Sequence, residues 1–181
     1  MSLQPSSFSE PVRGILAGLT ERPFPLIRTT VEADVMPRGL NANSSAHLFP
    51  GARYPQEALS GLLLRLNRWE ASHEVSQELN TVEGSYWHGI AHRLEPDYGN
   101  ASYWFRRVGR HAIFPRLHAA AAQILSEGNT QWNLKEHWDP FLFVGWCEEA
   151  SRAADPGKLK AAIAIQNAEW ELLFEWCAAP I

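Results

Sequence analysis

The chain has 181 residues, 45% hydrophobic and 20% charged, with a net charge of −4. That balance is globular and excludes a wholly disordered, collagenous or coiled-coil chain. Sixteen Lys and Arg against 20 Asp and Glu also speak against a general nucleic-acid or anionic-membrane binder, which carries the opposite sign.

Seven of the 12 prolines lie at or before Pro55, and all eight tryptophans lie at or after Trp69. Proline removes a backbone donor, so the first part holds no long helix. Large aromatics carry core burial, so the core belongs to the second part. Residues 1–55 therefore read as an extension and 56–181 as a helical domain. Met1–Pro11 has no positive charge ahead of an apolar run, unlike a secretory signal. A short helix is expected over Pro11–Leu19. Pro23–Ile27 is extended, by the restriction before proline, and its apolar residues predict packing along the body. Pro37–Ser45 reads as loop.

From Pro55 the pattern is helical. Leu59, Leu62, Leu63, Leu66, Trp69 and Val75 form a stripe at three-to-four spacing, which predicts one helix over Gln56–Leu79. A second helix covers Val82–Leu94, capped by Thr81 and ended by Pro96. Asp97–Gly99 is a turn, and Asn100 caps a short third helix over Ala101–Val108 that Gly109 ends. Pro115 opens a fourth, through Ser126. Asn129–His137 is loop. Asp139-Pro140 and Asp155-Pro156 each set a capping carboxylate ahead of a first-turn proline. They start a fifth helix over Pro140–Ala154 and a sixth over Pro156–Ala178. Alternating strand patterns are absent. The expected fold is all-α: a single-domain bundle of five to six helices behind a mostly irregular, Pro-rich N-terminal segment.

No stretch reaches 18 apolar residues, so no membrane span is expected. Cys147 and Cys177 sit in apolar stretches and read as two buried thiols in a reducing compartment, with a single bridge as the alternative. A cytoplasmic location follows.

The informative segment is Tyr86–His111, which mixes six aromatics, six charged residues and three histidines. Burying such a mixture requires mutual pairing of its polar groups, or a cleft that exposes them. His88 and His92 are four apart and share a helix face, which Glu95 extends. Glu70 and His73 have the E-x-x-H spacing of helical-bundle metal sites. If the first two helices are antiparallel neighbours, His73 faces His88 and His92. These three histidines with Glu70 are the candidate ligands of a divalent transition metal. A di-iron site lacks support, because Glu83, Glu148, Glu149 and Glu169 have no second matching histidine. H-x-x-x-H with Gly89 after His88 is not the zinc-protease motif. In the bland reading, the histidines are hydrogen-bonded structural groups.

His88, His92 and Glu95 are the candidate acid/base groups, since imidazole titrates near neutrality. Arg106, Arg107, Asp97 and Tyr103 are candidate ligand-binding residues. An arginine facing a cleft would hold a carboxylate or phosphate. The alternative is an ion-pair network of Glu95 or Asp97 with Arg93, Arg106 or Arg107 that fixes the turn. Tyr103-Trp104 with the arginines suits single-stranded nucleic acid, but the basic run is short and the total acidic, so no nucleic-acid partner is expected. P-loop, G-x-G-x-x-G, G-x-S-x-G and C-x-x-C motifs are absent.

His47-Leu48-Phe49-Pro50-Gly51-Ala52-Arg53, Gly84 through Arg93 (GSYWHGIAHR), Glu95-Pro96-Asp97 to Asn100, and Tyr103 through Gly109 (YWFRRVG) together resemble a family of hypothetical proteins of bacteria and fungi. Trp138-Asp139-Pro140-Phe141 and Glu169 through Phe174 (EWELLF) resemble its later segments. The resemblance spans residues 47–177 and implies that the helical part is one module. It implies no activity, cofactor or catalytic residue.

Two functions from different classes follow. One is a small-molecule-binding protein or enzyme with a His/Glu/Arg cleft between the first three core helices. The other is a non-catalytic structural or interaction protein, a homo-oligomer among its forms, in which the same residues make an internal polar network.

Overall fold

The structure, a computed structural model, describes residues 8–19, 24–29 and 44–180. Those residues form nine helices and no strand. None of the helices is long and apolar enough to cross a membrane. The all-α expectation holds, with more helices than the five to six expected. The loop expected over Pro37–Ser45 lies outside the described residues as far as 43, and so does Pro23 of the extended segment.

Two short helices precede the core, α1 (Glu10–Gly18) and α2 (Ser45–Leu48). The N-terminal segment is fastened to the body. Phe24 and Leu26 are buried, Pro25 O accepts from Gln166 Nε2 at 2.6 Å, and Arg28 N donates to Leu94 O at 2.9 Å. Ahead of α1, Phe8 packs its ring 5.4 Å from Phe174.

The stripe over Gln56–Leu79 does not make one helix. It divides into α3 (Pro55–Arg65) and α4 (Trp69–Gln77). Asn67 stands at φ 59°, a left-handed conformation that asparagine tolerates. Arg68 N reaches Leu63 O at 2.8 Å and Asn67 N reaches Leu64 O at 2.9 Å. This is a Schellman end, in which an αL residue turns the last carbonyls of a helix back onto two amides. Apolar periodicity runs through Leu66 and Trp69 regardless, so the break is invisible to it. The redirected α4 lies against α3 through small residues: Ser60 and Ser72 exchange a 2.8 Å hydroxyl contact in the core.

α5 (Val82–Leu94) carries its expected cap, with Thr81 Oγ1 accepting from Gly84 N at 3.0 Å. α6 (Tyr98–Val108) starts earlier than expected. Its cap is Asp97, whose Oδ1 accepts from Asn100 N at 3.1 Å, so Asn100 lies inside the helix. α7 runs Phe114–Glu127, and α8 (Pro140–Arg152) and α9 (Pro156–Ala178) complete the body. Asp139 and Asp155 cap the last two as expected, each accepting two backbone amides. The α9 C-terminus is tied back to the α3 entry by Arg53 N to Ala179 O and Tyr54 N to Cys177 O.

α5 packs against α3, α4 and α6, while α9 packs against α3, α7 and α8. α3 is thus shared by both groups. At its centre, Gly61 O accepts the Trp170 indole N–H at 2.8 Å. A Cβ at Gly61 would stand 2.5 Å from Trp87 Cζ2, and Trp87 is completely buried. Gly61→Ala is therefore expected to cost about 1–3 kcal/mol by overpacking, read as a lower urea midpoint at unchanged slope. Cys147 and Cys177 are both free and buried, and burial pushes the Cys147 thiol up to about 12.

Candidate metal centre

His88 and His92 sit on successive turns of α5, the helix most completely enclosed by its neighbours. α4 runs opposite them and presents His73. The three rings converge, with centroids 4.2 Å (His73–His88), 5.0 Å (His73–His92) and 4.8 Å (His88–His92) apart. One nitrogen from each lies within 4.8 Å of those of the other two. His88 Nε2 and His92 Nε2 are 3.1 Å apart. Two nitrogens bound tetrahedrally to one zinc at about 2.0–2.1 Å stand about 3.3 Å apart, so that edge of the site is already near metal-binding dimensions.

A second layer orients the rings. Ser76 lies one turn after His73 on α4. Its hydroxyl donates to His73 O at 3.2 Å and stands 3.0 Å from His88 Nδ1. In the tautomer with the proton on Nδ1, His88 donates to this hydroxyl and turns the Nε2 lone pair toward His92. This is the arrangement in which a metal-ligating imidazole is held by its other nitrogen. On His92, Nδ1 faces Glu95 Oε2 at 3.6 Å and Asp97 Oδ2 at 3.9 Å. Those carboxylates can hold a proton at Nδ1 when Nε2 is occupied. Asn100 Nδ2 lies 3.1 Å from His92 Nε2.

Burial sets the charge of the cluster. It lowers His88 to about 3, helped by the unfavourable charge that His73 and His92 would share with it on protonation and by the Arg107 guanidinium. Burial and His73 lower His92, against the pull of Asp97 and Glu95. Burial also lowers His73, opposed by Glu95 and Glu74. With all three lowered from the ordinary imidazole value, the rings are neutral at pH 7, the form in which imidazole binds a metal.

Indoles wall the cluster. Trp69 stacks on His73 with centroids 4.7 Å apart and fixes itself through Nε1 to Ala91 O at 2.6 Å. Trp104 covers His88 at 4.1 Å, and Arg107 lies 4.8 Å above Trp104. His88 and His92 are 2% and 6% exposed, and His73 is half-buried.

Not every residue singled out in the sequence joins this centre. Glu70 does not: its exposed carboxylate accepts from Arg28 Nη1 at 3.0 Å. On this helix the E-x-x-H spacing leaves the carboxylate outside. Glu95 and Asp97 back His92, and Asp97 also caps α6. Arg107 lies over Trp104 and acts on His88 through its charge. Tyr103 is 48% exposed and meets Trp104 edge-on. Arg106 lies away from the histidines, 5.8 Å from the Tyr103 ring. The ion-pair network expected around the turn forms elsewhere for Arg93, which is fully buried against Glu169. Ser76 is not among the residues the sequence singles out, although its i+3 spacing from His73 signals the shared face.

A tri-histidine cluster in an all-α bundle is the class that fold and site define. Comparison with family models, curated proteins and solved structures finds no significant match.

Proposed function

We propose that His73, His88 and His92 hold one divalent transition metal, zinc fitting best, in a small-molecule-binding protein or enzyme. The observation that carries this is the convergence of three neutral imidazole nitrogens within 4.8 Å. Structural zinc sites are closed by four protein ligands, whereas three ligands leave a position for water or substrate. When bound, zinc supplies Lewis acidity and a water whose pKa falls to about 7. Ser76, Glu95 and Asp97 orient the imidazoles.

The hydrogen-bonded run Ser76–His88–His92–Asn100 favours a second reading, an internal polar network with no ligand. The two part on metal dependence. Chelator-treated protein titrated with Zn²⁺, Mn²⁺ and Fe²⁺ should gain thermal stability and retain metal after desalting. A ligand at 100 times its Kd stabilises by about 2.7 kcal/mol. No retained metal and an unchanged melting temperature would leave the network reading.

A further inference from the structure

A second site lies at the C-terminal end of α6. A groove of about 1030 Å³ opens between the α6–α7 corner and the loop that leads into α8. That is at the upper end of the size of small-molecule pockets, which combine apolar walls with a few polar groups. Its walls are aromatic: Phe105, Phe114, Trp138 and Phe141. Phe105 and Trp138 are buried, while Phe141 is 43% exposed, unusual for so large an apolar side chain. We propose that this groove binds an organic monoanion, a carboxylate carrying an apolar body of aromatic size.

The charges of the lining point to the anion. Arg106 and Arg110 border the groove, both are exposed, and neither has an ion-pair partner among the described residues. Lys135 is already neutralised by Asp139 at 2.6 Å. The same Asp139 occupies the first amides of α8, so that helix end does not attract the ligand. The anion is thus directed to the arginine end, where guanidinium groups match a carboxylate in shape and charge. Lys135 and the two arginines face two carboxylates, Asp139 and Glu136, leaving one net positive fixed charge in the lining. That excess suits a monoanion better than a phosphate dianion. In the wall itself, the buried Trp138 indole N–H has no acceptor among the described residues, a polar demand a ligand could meet. His111, the inner imidazole, has its Nδ1 taken by Ile113 N at 3.3 Å, while its Nε2 stands 3.5 Å from Glu83 with no hydrogen bond among the described residues.

This inference does not depend on metal at the histidine cluster, and the full chain is tested after chelator treatment. Calorimetric titration compares 1-naphthoate with 1-naphthalenemethanol, which has the same ring and no charge. The naphthoate should bind about tenfold tighter or more. Arg106→Ala with Arg110→Ala should remove that preference at an unchanged melting temperature, since both side chains are exposed. Phe141→Ala should weaken both probes. No binding at millimolar probe, equal affinity for the two, or undiminished naphthoate affinity in the double arginine variant would overturn the proposal.

Discussion

Arg93→Ala is expected to cost the fold about 3–5 kcal/mol, the usual penalty for stripping one partner from a buried ion pair. Arg93 and Glu169 are both completely buried and paired with each other. The Tyr86 hydroxyl donates to Glu169 Oε1 at 3.0 Å, and Arg93 Nε donates to Gln166 Oε1 at 3.3 Å. The guanidinium lies 4.6 Å from the Phe143 ring and 5.7 Å from that of Phe105. Without Arg93, Glu169 keeps a carboxylate in an aromatic enclosure with no countercharge. Against a total stability of about 5–15 kcal/mol, that loss is large. Arg93→Met combined with Glu169→Leu removes both charges at similar volume and should recover most of it. Urea denaturation followed by circular dichroism measures all three proteins. A single variant that loses less than about 1 kcal/mol would mean the pair is not sealed from solvent.

Zinc affinity should fall by about 100-fold or more in His88→Ala and in His92→Ala, since each removes a ligand from a set of three, where loss of an outer partner alone costs about 10–100-fold. Asp97→Asn and Ser76→Ala should show that smaller loss, because they act through a ring and not on the metal. Glu70→Gln is the control. Its carboxylate bonds Arg28 at the surface, so affinity should not change. Competition titration against a chromogenic chelator ranks the series. Equal affinities across it, or a Glu70→Gln loss as large as that of His88→Ala, would contradict the ligand assignment.

Helix existence and most helix ends were legible wherever a local signal marked them. Asp139, Asp155 and Thr81 are caps whose chemistry is visible in a few consecutive residues, and all three accept the expected amides. The break at Asn67 was not legible, because a Schellman turn needs only one αL residue and leaves the leucine stripe unbroken. α4, which carries His73, starts after that break, so the three histidines converge across a bent rod where the leucine stripe alone predicts a straight one. His73, His88 and His92 could be grouped because i,i+4 spacing and a short connection are local facts. Glu70 could not be excluded by spacing, since its partner Arg28 is 42 residues away. The same holds for Arg93, whose carboxylate is 76 residues on in α9. Long-range partners are set by helix packing, which periodicity does not encode.

X-ray absorption at the zinc edge, on protein loaded with one equivalent and desalted, tests the central claim most directly. Three imidazole nitrogens at about 2.0–2.1 Å, with the multiple scattering of their rings, are the predicted coordination shell. A sample that loses its zinc on desalting, or a shell without histidine scattering, would contradict it.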